Sequence, residues 1–448
     1  MTDPCNFREL AKLNAEERAA LLRRSEADLS EFTEKIEPII EAVRREGDAA
    51  LVRFAREFDQ ANVRVDALRA SEAEFDAAFK AVGPDVIEAI EYAVANIRTF
   101  HEEQRPEPMW MKEVRPGAFA GDRWTPLTSV ALYVPRGKGA FPSVTMMTSV
   151  PAVVAGVKNI AICTPPTEDG RIDAATLVAA RIVGVSTVYK CGGAQAVSAV
   201  AYGTETVKQA VKIVGPGSPW VVAAKRLLSG VIDTGLPAGP SEALIFADGT
   251  VDGRIAALDV LIEAEHGADS SAYIVTHSRE VAEAARAALP EYWARMAPQR
   301  VAFSQAVLRG EWGGIILTGS LQESYDFVNA YAPEHLEILS SEPFRHLGAI
   351  TDAAEVLLGP YTPVTIANFV LGPNCVLPTS RWARSYGPLS VTDFLKRSSV
   401  GYVTTDAYPG LAARARTLAH YEGFSSHENA VSDIRDKILN RDASSPPA

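Results

Sequence analysis

The alternation of apolar and polar positions changes character along the chain. From about Leu10 to Gln104, apolar residues recur at three- and four-residue spacing. Ile36-Glu37-Pro38-Ile39-Ile40-Glu41-Ala42-Val43 and Val86-Ile87-Glu88-Ala89-Ile90-Glu91-Tyr92-Ala93 are examples. That period marks one face of an α-helix, so residues 1–125 are expected to form a helical N-terminal arm. Near Pro126 short β-branched runs begin. Ser129-Val130-Ala131-Leu132-Tyr133-Val134, Asn159-Ile160-Ala161-Ile162-Cys163, Thr187-Val188-Tyr189-Lys190 and Val211-Lys212-Ile213-Val214 read as strands. Helical spacing separates them at residues 144–155, 174–182 and 194–201. A second set follows, with strands at residues 243–247, 272–276 and 314–318 and helices at 254–265, 280–288 and 322–330.

This alternation predicts α/β architecture, parallel sheets with helices on both faces. The expected division is a helical arm at residues 1–125, a first α/β domain at 126–236 and a second at 237–380. A helical C-terminal piece at 381–448 completes it, with helices at 391–397, 411–419 and 430–439. The last seven residues, rich in Ser and Pro, read as a disordered tail.

Composition narrows the partners. The 448 residues are 47% hydrophobic and 22% charged, with a formal net charge of −12. A net acid of this size disfavours nucleic acid and anionic membrane as partners, while a local basic pocket still permits small anions. No apolar run reaches the roughly 18 residues of a membrane helix. The polar N-terminal stretch does not read as a secretory signal. Cys5, Cys163, Cys191 and Cys375 are far apart and form no CxxC pair. A disulfide framework is not expected, and a reducing, cytoplasmic setting fits.

The chain has seven histidines, so each context carries information. Glu263 and His266 are three apart at the end of an expected helix, which puts both on one face, either as metal ligands or as a surface pair. Glu334 and His335 follow Pro333. In a turn both side chains can face one cavity as a proton-transfer pair; the alternative is a satisfied loop histidine. His427 lies near the start of the last expected helix, where Ser425 or Ser426 would be the N-cap. His101, His277, His346 and His420 read as surface residues. Two glycine turns, Gly192-Gly193-Ala194-Gln195 and Gly215-Pro216-Gly217-Ser218, each follow a strand and open a helix. That geometry aims backbone N–H groups at a phosphate, although neither is a full GxGxxG.

Several stretches occur in an order that resembles the histidinol dehydrogenase family. They are Leu132-Tyr133-Val134-Pro135, Gly192-Gly193-Ala194-Gln195-Ala196, Gly215-Pro216-Gly217, Leu236-Pro237-Ala238-Gly239-Pro240-Ser241-Glu242, Ala264-Glu265-His266-Gly267, Pro333-Glu334-His335-Leu336 and His427-Glu428-Asn429-Ala430-Val431. The resemblance spans residues 30 to 440. It implies two Rossmann-like domains, a zinc enzyme using NAD, and a homodimer whose C-terminal piece completes the partner's active site. The implied reaction takes a small polar primary alcohol through the aldehyde to the carboxylate, with two hydride transfers. By motif, His335 matches the general base and Glu334 the residue that activates water. Tyr133, Gln195, Gly215 and Ser218 fall on the NAD side, Ser143 and Ser241 on the substrate side, and Glu422 reaches across the dimer.

Three positions depart from the family pattern: Glu263, Asn368 and Cys375. The family's metal ligands are Gln, His, Asp and His; the matching residues here are Glu263, His266, Asn368 and His427. Cys375 stands where a substrate-lining His is usual. L-histidinol is the default substrate the resemblance implies. A sulfonated propanediol is the alternative, because the exchanges fall where histidinol's amino end would bind. A non-catalytic member with a decayed metal site is the third reading.

Overall fold

The computed structural model describes residues 3–24, 29–136 and 139–442. The expected tail therefore lies almost wholly outside the described residues. The chain forms two compact units. One comprises Met1–Arg105 and Pro126–Phe394, the other Pro106–Thr125 and Leu395–Ala448.

The larger unit contains two parallel sheets. The four-stranded sheet runs Val188–Lys190, Asn159–Thr164, Ser129–Tyr133, Lys212–Val214, every neighbour parallel. In chain order this is 3-2-1-4, so the order reverses between its first and fourth strands. The six-stranded sheet runs Phe7–Glu9, Gly313–Leu317, Ser271–Thr276, Glu242–Ala247, His335–Leu339, Glu355–Leu358, again parallel throughout. Apart from the added edge strand Phe7–Glu9, the chain order is 3-2-1-4-5, with its reversal between Glu242–Ala247 and His335–Leu339. Both sheets thus share the doubly wound order expected from alternating β and α segments.

Burial explains the layers. Ile36, Ile39 and Val43 on helix Ser30–Glu46 and Leu51 and Phe54 on Asp48–Phe58 pack with Ala131, Cys163 and Ile213 of the four-stranded sheet. The six-stranded sheet is covered on one face by Val260 and Leu261 of helix Gly253–Ala264 and by Val281 and Leu289 of Arg279–Trp293. Its other face meets Phe327, Val328 and Tyr331 of Leu321–Tyr331, with Leu10 and Leu21. Both faces of each sheet are dry, which is why the strands read as continuous apolar runs.

The smaller unit is different. Met109–Arg115 pairs antiparallel with Ala118–Pro126, and Leu395–Val403 flanks the latter. Helices Tyr408–Tyr421, Ser425–Ala430 and Asp433–Asp442 follow. Ala118, Ala412 and Ala419 are its buried apolar residues among those described, while Met109, Trp110, Val114, Leu418, Tyr421 and Phe424 are exposed.

Four expectations are corrected. The helical arm does not extend to residue 125: Pro106 and Pro108 stop the helix, and Pro116-Gly117 turns a hairpin. Residues 391–397 are helical only over the single 3₁₀ turn Val391–Phe394; residues 395–397 open the Leu395–Val403 strand, where Val400, Tyr402 and Val403 suit a pleated surface. Ser425 and Ser426 lie inside a short helix whose N-cap is Phe424, without a side-chain cap. His101 and His346 are buried rather than on the surface. His101 shares a helix face with Ile90, Val94 and Ile97 and its Nδ1 lies 2.7 Å from the Ile97 carbonyl.

Candidate active site

Glu334 and His335 are placed by a strained entry into the sheet. Helix Leu321–Tyr331 ends at Ala332, which has φ 52, a left-handed conformation uncommon for a residue with a Cβ. Pro333 then forces extended chain, and the strand begins at His335. His335 pairs in register with Ala243 on one side and Glu355 on the other. Glu334, immediately before the strand, accepts the Glu242 backbone N–H at Oε2, 2.8 Å away. Its Oε1 lies 4.0 Å from His335 Nε2. His335 Nδ1 lies 2.6 Å from Glu355 Oε2. With Nδ1–H donated to Glu355, Nε2 is the nitrogen left to take a proton, and it faces Glu334.

The electrostatics follow from the crowd of carboxylates. Burial pushes the His335 pKa down, but the hydrogen bond to Glu355 and the charges of Glu334, Glu355 and Glu263 outweigh it and hold it at about 10. Burial drives the Glu334 carboxyl well above its ordinary value; Glu263 and Glu242 add to this, while His335 and the Glu242 N–H oppose it.

Glu263 and His266 meet at the end of helix Gly253–Ala264, with Oε2 and Nδ1 2.8 Å apart. Asn368 Nδ2 lies 3.3 Å from Glu263 Oε1. Burial raises the Glu263 pKa, yet His266 brings it down to about 2, with help from His335 and the Ser241 hydroxyl. His266 is correspondingly raised by Glu263. Asn368 Oδ1 is buried without a hydrogen-bond partner. Such an orphaned acceptor beside a carboxylate and an imidazole is what a divalent cation satisfies. Among the described residues, no three His, Cys, Asp or Glu side chains form a metal-holding group by themselves. A metal held here would need the Asn368 amide oxygen beside Glu263 and His266. The half-buried Cys375 thiol belongs to the same pocket, since burial and the carboxylates of Glu355, Glu263 and Glu334 push its pKa up.

The glycine turns lie at the carboxyl end of the four-stranded sheet. Tyr133 closes one strand and Gly215 follows another, at the reversal of strand order. Gly215 has φ 120, and a Cβ there would collide with the Tyr133 carbonyl oxygen. The Gly193 N–H donates to the Tyr133 hydroxyl at 3.0 Å. Helices Gly193–Tyr202 and Pro219–Leu228 begin at these turns. Gln195 is buried and Ser218 exposed. Glycine turns that open two helices at the carboxyl end of a parallel sheet are a geometry that can hold a dinucleotide.

The structure thus brings together Glu334, His335, Glu263, His266, Asn368, Ser241 and Cys375. Ser143 is buried in the first turn of helix Pro142–Val154. Glu422 and His427 belong to the smaller unit and are exposed. Sequence reasoning missed Glu355, which orients His335, and Glu242 as the anchor of Glu334. Glu355 opens a four-residue strand too short to announce itself.

Fold and site define an α/β protein with doubly wound sheets, a glycine-turn edge and a buried Glu334–His335–Glu355 cluster. The family model described as histidinol dehydrogenase matches residues 22–435. Histidinol dehydrogenase homolog 2 of Mesorhizobium japonicum is 74% identical over 97% of this chain and 99% of that protein. Histidinol dehydrogenase of Synechocystis is 49% identical over 96% of this chain and 99% of that protein. The crystal structure of histidinol dehydrogenase from Elizabethkingia anophelis superposes with a TM-score of 0.91 at 31% identity, covering 98% of this chain and 100% of that one. The chain belongs to the histidinol dehydrogenase family.

Proposed function

We propose that the protein is a zinc- and NAD-dependent dehydrogenase that oxidises a small polar primary alcohol, by default L-histidinol, to its carboxylate. The observation that carries this reading is the Glu334–His335–Glu355 arrangement, which sets an imidazole oriented by one carboxylate beside a second, separate carboxyl. Glu263, His266 and Asn368 would hold the metal, with His427 of the partner subunit as fourth ligand and the partner's Glu422 at the substrate. Tyr133, Gln195, Gly215 and Ser218 would hold NAD, and Ser143, Ser241 and Cys375 would line the substrate. When bound, zinc supplies a fixed positive charge beside the reacting oxygen and NAD supplies the hydride acceptor.

The chain's own residues do the proton work. The positive charge of a bound metal at Glu263 and His266 would bring the raised pKa values of His335 and Glu334 back down. In the first oxidation His335 Nε2 then takes the hydroxyl proton while Glu355 keeps the ring aligned. In the second, the ionised Glu334 takes a proton from the water that adds to the aldehyde. Overall, alcohol, water and two NAD⁺ give carboxylate, two NADH and three protons. The apolar residues exposed on the smaller unit, Trp110, Leu418 and Phe424 among them, support a homodimer in which a second copy covers them.

A second reading, a sulfonated propanediol as substrate, is favoured by Cys375. A thiol is a weak partner where an imidazole would hydrogen-bond histidinol. NADH formation by purified protein with zinc, given each alcohol in turn, separates the two. NADH from L-histidinol supports the first. NADH from the sulfonated diol alone replaces it with the second. Zinc well below one per subunit in chelator-free protein contradicts both.

A further inference from the structure

Arg24 lies far from the motif residues in sequence, yet it is buried behind them. Its Nε donates to Glu242 Oε1 at 2.7 Å, and both side chains are almost fully buried. Its Nη2 donates to the Tyr331 carbonyl at 2.9 Å and its Nη1 to the Leu22 carbonyl at 2.9 Å. The guanidinium sits 3.5 Å from the centroid of the Tyr331 ring. Glu242 Oε1 also accepts the Ser380 backbone N–H at 2.7 Å. Three segments therefore converge on the Arg24–Glu242 ion pair: Ser241-Glu242, the Tyr331–Glu334 entry, and the segment from Cys375 to Ser380. Each carries a residue of the candidate site.

The connection to chemistry runs through the backbone. The N–H of Glu242 holds Glu334 Oε2 at 2.8 Å. On the other side, Arg24 holds the Tyr331 carbonyl one residue before the left-handed Ala332, the bend that aims Glu334. Strained backbone of this kind persists only where its surroundings over-determine it. A planar, multiply donating guanidinium stacked on an aromatic ring does that in a way a point charge does not.

We infer that Arg24 is a positioning residue for Glu334, fixing from behind both the strand start that holds its carboxylate and the bend that aims it. The inference rests on the reading of Glu334 as the group serving aldehyde oxidation. Glu334 is the site residue whose carboxylate hydrogen bond and backbone bend both trace to Arg24, so its loss weighs most on the second step.

The test uses the full-length enzyme with zinc and NAD. The alcohol is L-histidinol, or the sulfonated propanediol if wild type takes that instead; the matching aldehyde is supplied separately. Arg24→Met should slow aldehyde oxidation about 10²-fold while the alcohol step changes less than about fivefold. Arg24→Lys, which restores the charge but not the planar fork, should recover only part of the loss and leave aldehyde oxidation about tenfold below wild type. Because Arg24→Met strands a buried carboxylate, Arg24→Met/Glu242→Gln, which removes both charges, is the folded control and should show the same selective loss. Equal slowing of both steps, or a wild-type ratio in the double variant, overturns the inference.

A second readout needs no activity. The shift in melting temperature caused by Glu334→Gln should differ by more than about 2 °C between wild type and the double variant. Additive shifts overturn the positioning role. If wild type oxidises neither alcohol while this coupling is present, the functional reading fails and the positioning role stands.

Discussion

The two sheets of the larger unit share a winding order and use opposite ends of it. In the four-stranded sheet, Tyr133 and Gly215 lie at the carboxyl ends of the strands flanking the order reversal, where open α/β sheets bind ligands. In the six-stranded sheet the flanking strands begin at Glu242 and His335, and Glu334, His335, Glu355 and Ser241 gather at the amino ends. The carboxyl end of that reversal is filled instead. Asp248 Oδ2 accepts the Ser340 hydroxyl at 2.6 Å and faces His346 Nε2 at 3.1 Å, while His346 Nδ1 meets the Tyr325 hydroxyl at 2.6 Å. Thr250 closes the other Asp248 oxygen. One fold therefore supplies two kinds of edge. A glycine turn and helix N-termini suit a phosphate, and strand starts with buried carboxylates suit proton transfer.

The comparison breaks most visibly at His335. His335→Ala should lower alcohol oxidation by about 10³-fold or more, read as initial NADH formation. Glu334→Gln should spare that step and slow aldehyde oxidation, so aldehyde accumulates in a trapping assay. Equal losses in Glu334→Gln would show that the amino-end residues do not divide the work.

At the other edge, Gly215→Ala forces a Cβ against the Tyr133 carbonyl at a left-handed φ. NAD affinity measured by calorimetry should fall about tenfold or more, with the unfolding free energy down by about 1–3 kcal/mol. Unchanged NAD affinity in the folded variant would remove this edge from the cofactor site.

The filled edge gives a smaller, purely structural effect. His346→Ala should cost about 1–3 kcal/mol of stability from stranded partners, with steady-state constants unchanged. A selective kinetic defect would instead mark a second working site there.

Glu337 sharpens the account by the least amount. It lies two residues along the strand from His335, fully buried against Asp259. Burial and the neighbouring Asp259 push its pKa up to about 10. A carboxyl with a raised folded-state pKa binds protons that the unfolded chain has lost. Stability therefore falls as pH rises from about 4.5, the unfolded value, towards 10. Glu337→Gln should remove that slope and raise the melting temperature by about 2 °C or more at pH 8, with little difference at pH 4.5. A melting temperature below wild type at pH 8 would mean that Glu337 is ionised and paired.

The strands around residues 129–134 and 243–247 were legible because both faces are dry and the runs are uniformly apolar. The Glu263–His266 contact was legible too, because helical spacing alone dictates it. Phe7–Glu9 and Glu355–Leu358 were not, since three or four residues carry no period. The hairpin at residues 109–126 was hidden because its first strand is exposed on both faces and so alternates nothing. Arg24 and Glu355 reach the site only through tertiary packing, which no local pattern encodes. His101 was misread although its i−4 and i−7 neighbours, Ile97 and Val94, already marked a buried face.

The division of labour at the amino edge is the central claim, and the stoichiometry of a single alcohol turnover tests it most directly. Wild type should form two NADH per alcohol consumed and release carboxylate, whereas Glu334→Gln should form one and release aldehyde. One NADH per alcohol in wild type, with aldehyde as its product, would contradict the account.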